Sequence, residues 1–188
     1  MSLLILKMDG MEKLGYERKE VLSIIKLFPR ILNYNTDTLS QKIEEVMELG
    51  YTREDALFIM NANPRVFGYK IETIQQKIED FKKLGYTKSD ILEMTKEAPI
   101  LLTYKIEDLG ERIKELETLG FARSESMRFT RINPRFLSAG LERFESVVNS
   151  FMELGYTRDE LIKMIKLTPQ IFRITIECLK SKFDNLVS

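Results

Sequence analysis

Residues 49–83 read LGYTREDALFIMNANPRVFGYKIETIQQKIEDFKK, and the features of this stretch recur along the chain. All five prolines lie 35 residues apart, and five Leu-Gly pairs keep the same spacing. The repeated positions are Pro29, Pro64, Pro99, Pro134 and Pro169, with Gly15, Gly50, Gly85, Gly120 and Gly155. A fixed period of this length is typical of repeat architectures, so the fold is predicted from one repeat.

Each repeat is predicted to contain two helices separated by a turn. Gly50 can adopt the left-handed conformation that ends a helix, and Thr52 with Asp55 forms a loose capping box for the next one. Pro64 ends that helix because it lacks an N–H and restricts the residue before it. Apolar residues at helical spacing then predict a second helix over roughly 72–83.

Neither helix can bury its apolar face alone, so stacked repeats predict an all-α fold, an α-solenoid of five 35-residue helix–Pro turn–helix repeats. Residues 14–188 are predicted to be one solenoid domain. Its repeats are 14–48, 49–83, 84–118, 119–153 and 154–188. Residues 1–13 are predicted to be the second helix of an incomplete leading repeat, because Leu4, Met8 and Met11 fall at the apolar positions of that helix.

Composition argues against catalysis. The 188 residues contain no histidine, one cysteine (Cys178) and no Gly-rich phosphate loop, so we expect no enzyme, no cofactor and no metal site. Lysine and arginine total 29, as do aspartate and glutamate, so bulk charge marks neither a nucleic-acid binder nor a membrane binder. The apolar run at residues 3–6 is too short to cross a membrane, and we expect a monomer without membrane attachment.

The phase of the proline distinguishes this repeat from other helical repeats of similar length. Proline stands 14 residues after the glycine, and two apolar residues follow after one intervening position, as in Pro64-Arg65-Val66-Phe67. This layout differs from tetratricopeptide and pentatricopeptide repeats and resembles the mitochondrial transcription termination factor family, mTERF. The resemblance covers residues 14–188.

The resemblance implies a curved α-solenoid whose repeats each contain two α-helices and a short 3₁₀ turn after the proline. It also implies a concave positive surface that binds nucleic acid in mitochondria or chloroplasts, with roles that include transcription termination. The chain departs from the family in its zero net charge and in the absence of a recognisable presequence in residues 1–13. A bacterial, cytoplasmic relative is therefore the alternative localisation.

Stacked repeats align equivalent positions into rows, and one row is basic in every repeat. It occupies the first residue after each helix cap and is here called the helix-start row: Arg18, Arg53, Lys88, Arg123 and Arg158. A cation at this place opposes the dipole of its own helix, so local helix stability does not explain it. The functional interpretation is a row of phosphate contacts. The alternative is inheritance by duplication, with each cation paired to neighbouring acids such as Glu54 and Asp55.

Other candidate contacts flank the prolines. The turn-edge row directly follows the proline and comprises Arg30, Arg65 and Arg135, with Ile100 and Gln170 at the same position of repeats three and five. A third row lies three residues before the proline and includes Arg131 and Lys166, which could complement the negative end of their own helix. Arg128 shares a helix face with Arg131, and arginine suits bidentate phosphate contacts.

Charge is distributed unevenly among the repeats. Repeat three has eight acidic and five basic residues, whereas repeats four and five together have eleven basic and eight acidic residues. We therefore expect a nucleic-acid footprint to be strongest at the C-terminal end.

The sequence leaves two functions open. The first is binding of double-stranded DNA or structured RNA, which would act sterically on transcription or another step of gene expression. The alternative is a protein-interaction scaffold whose concave groove binds a partner protein, and acids of repeat three lining that groove would favour it.

Overall fold

The computed structural model describes residues 3–173, which form eleven α-helices, four 3₁₀ helices and no β-strand. The α-helices are α1 Leu3–Lys13, α2 Arg18–Leu27, α3 Thr36–Glu48, α4 Arg53–Ala62, α5 Ile71–Leu84, α6 Lys88–Glu97, α7 Ile106–Thr118, α8 Arg123–Ile132, α9 Phe136–Ala139, α10 Leu141–Met152 and α11 Arg158–Leu167. The prediction of an all-α fold with two long helices in each repeat is confirmed for the first four repeats. The second helix predicted for repeat five, with Cys178, lies outside the described residues.

Threonine caps start the first helix of repeats two, three and five. In repeat two the Thr52 side chain accepts a hydrogen bond from the Asp55 amide at 3.1 Å, and the Asp55 carboxylate accepts one from the Thr52 amide at 3.3 Å. This reciprocal pair satisfies two amides that have no partner inside the helix. Gly50 precedes the cap at φ 112°, a conformation that side chains rarely adopt, so the Leu-Gly pair ends α3 and reverses the chain.

A 3₁₀ helix follows the proline in four repeats, as the family resemblance implied. These segments are Pro29–Asn33, Pro64–Gly68, Pro99–Thr103 and Pro169–Arg173. In repeat four the expectation is wrong, because Pro134 is followed by the single α-helical turn α9. Its last residue, Ala139, stands at the position where a tyrosine directly follows the 3₁₀ helix in repeats one to three. Gly140 comes next at φ 72°, a conformation that ends the α-helical turn.

Contacts divide the chain into two compact units, each with its own core. The first unit comprises Met1–Lys83 and Thr87–Thr103, and the second comprises Leu84–Tyr86 and Tyr104–Ser188. Aliphatic and aromatic side chains fill the first core, among them Val21, Ile24, Ile43, Ile59 and Phe67. Five phenylalanines dominate the second core, mostly in edge-to-face contacts with ring centroids 5.1–6.3 Å apart: Phe121, Phe129, Phe136, Phe144 and Phe172.

Buried polar side chains join neighbouring repeats within each unit. Asn63, directly before its proline, donates to the Pro99 carbonyl of the next turn at 3.0 Å, and Asn133 donates to the Pro169 carbonyl at 2.9 Å. The Tyr51 hydroxyl lies 2.5 Å from the Thr95 hydroxyl, 44 residues further along the chain. Since buried polar groups are costly without a partner, these pairs specify how one repeat packs on the next.

Candidate nucleic-acid interface

The helix-start row lies at the first residue of α2, α4, α6, α8 and α11. One arginine of this row in each unit reaches the end of a helix 39 residues upstream. The Arg53 guanidinium donates to the Leu14 carbonyl at 3.0 Å, and the Arg123 guanidinium donates to the Leu84 carbonyl at 3.0 Å. These carbonyls lie at the C-terminal ends of α1 and α5, where backbone acceptors lack a partner and the helix dipole attracts a cation.

This contact gives Arg53 and Arg123 a packing role that requires no ligand. A cation unfavourable for its own helix is favourable for the end of a neighbouring helix, and both effects have a similar size of about 0.3–1 kcal/mol. Lys88 lies in the equivalent position, beside the end of α3. Its Nζ is 3.5 Å from the point that a Cβ atom on Gly50 would occupy. Sequence reasoning missed this role because the partner helix is distant along the chain.

Three members of the helix-start row also form ion pairs. Arg18 lies 2.8 Å from Glu12, and Arg123 lies 3.2 Å from Glu117. Both nitrogens at the tip of Arg158 contact Glu145, at 2.6 and 2.7 Å, and hydrogen bonding to Arg158 lowers the pKa of the Glu145 carboxyl. Each acid in these pairs lies on a second helix of the repeat pattern, on α1, α7 or α10.

Lys166, from the row before the proline, is held by three groups. Its ammonium lies 3.1 Å from the Glu125 carboxylate, donates to the Gly120 carbonyl, and lies 5.3 Å from the centre of the Phe121 ring. Asn61, at the equivalent position of repeat two, donates to the Glu20 carboxylate at 2.8 Å. Both acids belong to the cap of the preceding repeat.

Lys166 and Asn61 therefore make contacts between repeats, whereas Lys96, at the same position of repeat three, lies 2.6 Å from Glu93 of its own helix. In repeat four the row places Arg131 at the end of α8, where it is exposed and engaged with another group. Arg128 approaches the last carbonyls of α11 at 3.4 and 3.5 Å, which are long, weak contacts.

The turn-edge row differs from the others. Arg30, Arg65 and Arg135 are exposed, and within residues 3–173 their side chains form no hydrogen bond and no ion pair. An arginine charge without a nearby carboxylate keeps its full electrostatic attraction for an incoming anion. Of the cations singled out from the sequence, these three are therefore the most available to a ligand.

Among residues 3–173 no group of three histidine, cysteine, aspartate or glutamate side chains is arranged to hold a metal ion. None of the described helices is both long and apolar enough to span a bilayer.

The chain matches a protein-family model. The family model described as mTERF matches residues 4–114 and again residues 75–188, so the two overlapping regions cover nearly the whole chain. A search of curated proteins finds no matching relative.

Proposed function

Because the chain belongs to the mTERF family, we propose that it binds double-stranded DNA or structured RNA and acts sterically on transcription or another step of gene expression. The bound protein would block a moving polymerase or anchor another factor. We further propose that it works in mitochondria or chloroplasts, as the family suggests.

The observation that supports this proposal is the set of exposed turn-edge arginines without acidic partners. Zero net charge argues against an overall attraction to nucleic acid, so binding must come from local positive sites. Arg18, Arg158 and Lys166 already form ion pairs, so we expect them to contribute less than the turn-edge arginines to such sites.

The test is a titration of fluorescent duplex DNA and hairpin RNA with the whole chain at about 50 and 200 mM salt. Phosphate contacts release counterions, so log K should fall linearly with log salt at a slope of about −0.9 per contacted phosphate on duplex DNA. Binding that weakens steeply with salt supports the proposal. A chain that binds neither probe at 50 mM salt contradicts it.

A protein partner is the second candidate, and exposed apolar side chains favour it. Leu22 and Leu27 on α2 and Phe58 on α4 are each more than half exposed, at 54%, 60% and 55%. The helices α2 and α4 pack against each other, and contiguous exposed apolar surface marks protein interaction sites. Replacing Leu22 and Phe58 with serine should leave nucleic-acid affinity unchanged and should abolish binding to any partner that uses this surface.

A further inference from the structure

We infer that the turn-edge row supplies the contacts to the nucleic-acid phosphates, whereas the helix-start row holds neighbouring repeats together. This inference rests on the nucleic-acid binding proposed above and assigns it to particular residues. The five residues of the helix-start row are thereby assigned a structural role, and the three turn-edge arginines are assigned a role in binding.

The first support is the availability of charge. The guanidinium groups of Arg53 and Arg123 donate hydrogen bonds to backbone carbonyls at the end of another helix, and that of Arg18 donates to the Glu12 carboxylate. A phosphate that recruited these side chains would break contacts that already stabilise the fold. Within residues 3–173 no such contact opposes recruitment of Arg30, Arg65 or Arg135.

The second support, which concerns two of the three turn-edge arginines, is the anchored backbone from which they project. Arg65 stands between buried Pro64 and Val66, and Arg135 stands between buried Pro134 and Phe136. The neighbouring residues anchor the turn in the core while the arginine side chain extends into solvent. An anchored backbone lowers the entropy cost of binding a phosphate, because the backbone is already ordered before the phosphate binds.

The turns are also tied to the following repeat. The Asn63 side chain, two residues before Arg65, donates to the Pro99 carbonyl, and the Asn133 side chain, two residues before Arg135, donates to the Pro169 carbonyl. Each of these arginines therefore keeps a set position relative to the next turn of the same unit.

The third support is the pattern along the chain. The turn-edge position is arginine in repeats one, two and four, isoleucine in acidic repeat three, and glutamine in repeat five. The basic helix-start row, by contrast, is present in every repeat, as a role in repeat packing requires. The inference thus assigns phosphate contacts to three repeats rather than to all five.

The experiment compares two triple variants that remove the same number of arginines. One is Arg30→Gln/Arg65→Gln/Arg135→Gln, and its matched control is Arg18→Gln/Arg53→Gln/Arg123→Gln. Affinity for the fluorescent duplex is measured across about 50–200 mM salt, below the unfolding temperature of every variant, and thermal unfolding is followed by circular dichroism.

Loss of three phosphate contacts should flatten the slope of log K against log salt by about 2.7 in the turn-edge variant. Between 50 and 200 mM salt, its affinity should consequently fall about 40-fold less than that of the wild type. Its unfolding temperature should equal that of the wild type. The control should keep the slope and unfold at a lower temperature, since it loses the contacts to Leu14 and Leu84.

A third variant separates charge from side-chain shape. Arg30→Lys/Arg65→Lys/Arg135→Lys keeps three positive charges and should retain the wild-type slope. If the wild type binds but the turn-edge glutamine variant keeps its slope, or if both glutamine triples lose slope equally, the inference is overturned while the proposed function stands. If the wild type does not bind at all, both are overturned.

Discussion

Replacing Thr95 with valine tests whether the tyrosine–threonine pairs hold neighbouring repeats together. Thr95 is fully buried, and its hydroxyl bonds the Tyr51 hydroxyl at 2.5 Å and the Ile91 carbonyl at 2.6 Å. Valine has nearly the same shape, so the substitution leaves the Tyr51 hydroxyl buried without a partner and opens no cavity. An orphaned buried hydroxyl costs about 1–3 kcal/mol, and we expect the free energy of unfolding to fall by that amount.

The assay is urea unfolding followed by circular dichroism at neutral pH. Adding Tyr51→Phe to Thr95→Val removes both hydroxyls and should recover most of the loss, because a pair replaced by apolar groups is nearly neutral. The chain already contains such a pair, since Phe121 and Ile165 occupy the equivalent positions of a later interface. If Thr95→Val costs less than about 0.5 kcal/mol, or Tyr51→Phe gives no recovery, the reasoning is refuted.

Tyr16 provides the matched control. Its hydroxyl is buried and forms no hydrogen bond within the described residues, and methionine, Met60, stands where threonine partners Tyr51. Burial raises the pKa of Tyr16 and also that of Tyr51, the latter to about 12. Tyr16→Phe should leave the free energy of unfolding unchanged or raise it, because the hydroxyl that it removes forms no hydrogen bond.

Two further predictions concern stability. Gly110→Ala should stabilise the protein by about 0.5–1 kcal/mol, since alanine favours the interior of α7 and the new Cβ would lie an ordinary 3.7 Å from a Leu84 methyl group. Gly10→Ala in α1 should destabilise the protein, because the new Cβ would clash with the Thr36 hydroxyl. Urea midpoints for the two variants should shift in opposite directions, and shifts of the same sign would contradict the packing. Glu145→Gln should lower stability at pH 7 by no more than about 1 kcal/mol, because the pair with Arg158 is more than a third exposed. The pKa of Glu145 is lowered in the folded state, so the ion pair stabilises the protein at pH values above the ordinary carboxyl pKa. This stabilisation is lost as the pH falls through the pKa of Glu145 in the folded state. A stability difference between wild type and Glu145→Gln that persisted in acid would refute the prediction.

Much of the local structure was predictable from sequence because its determinants lie within a few residues. Thr52 and Asp55 are three positions apart, and their reciprocal hydrogen bonds follow from that spacing. The α-helical turn of repeat four was not predicted. Its signal was a glycine, Gly140, at a position where the other repeats have none, together with the loss of the preceding tyrosine.

The candidate site was less predictable. The helix-start row was the most regular basic feature of the sequence, and the structure directs Arg53 and Arg123 to carbonyls of another helix. Lys166 similarly contacts Glu125, 41 residues earlier. The partners of these three cations lie about one repeat length earlier in the chain. A comparison of rows across repeats, offset by about one repeat length, is the signal that could have revealed these contacts.

The sequence by itself determined the 35-residue repeat, the paired helices, their caps and the proline-marked turns, because these depend on local backbone preferences and on apolar periodicity. Only the tertiary structure decided which cations are used within the protein and which remain available. Their partners lie 39 or more residues away for Arg53, Arg123 and Lys166, so no local pattern reports them. The available charge on Arg30, Arg65 and Arg135 is a property of the packed repeats, since it depends on which acids and carbonyls packing brings within reach of each side chain.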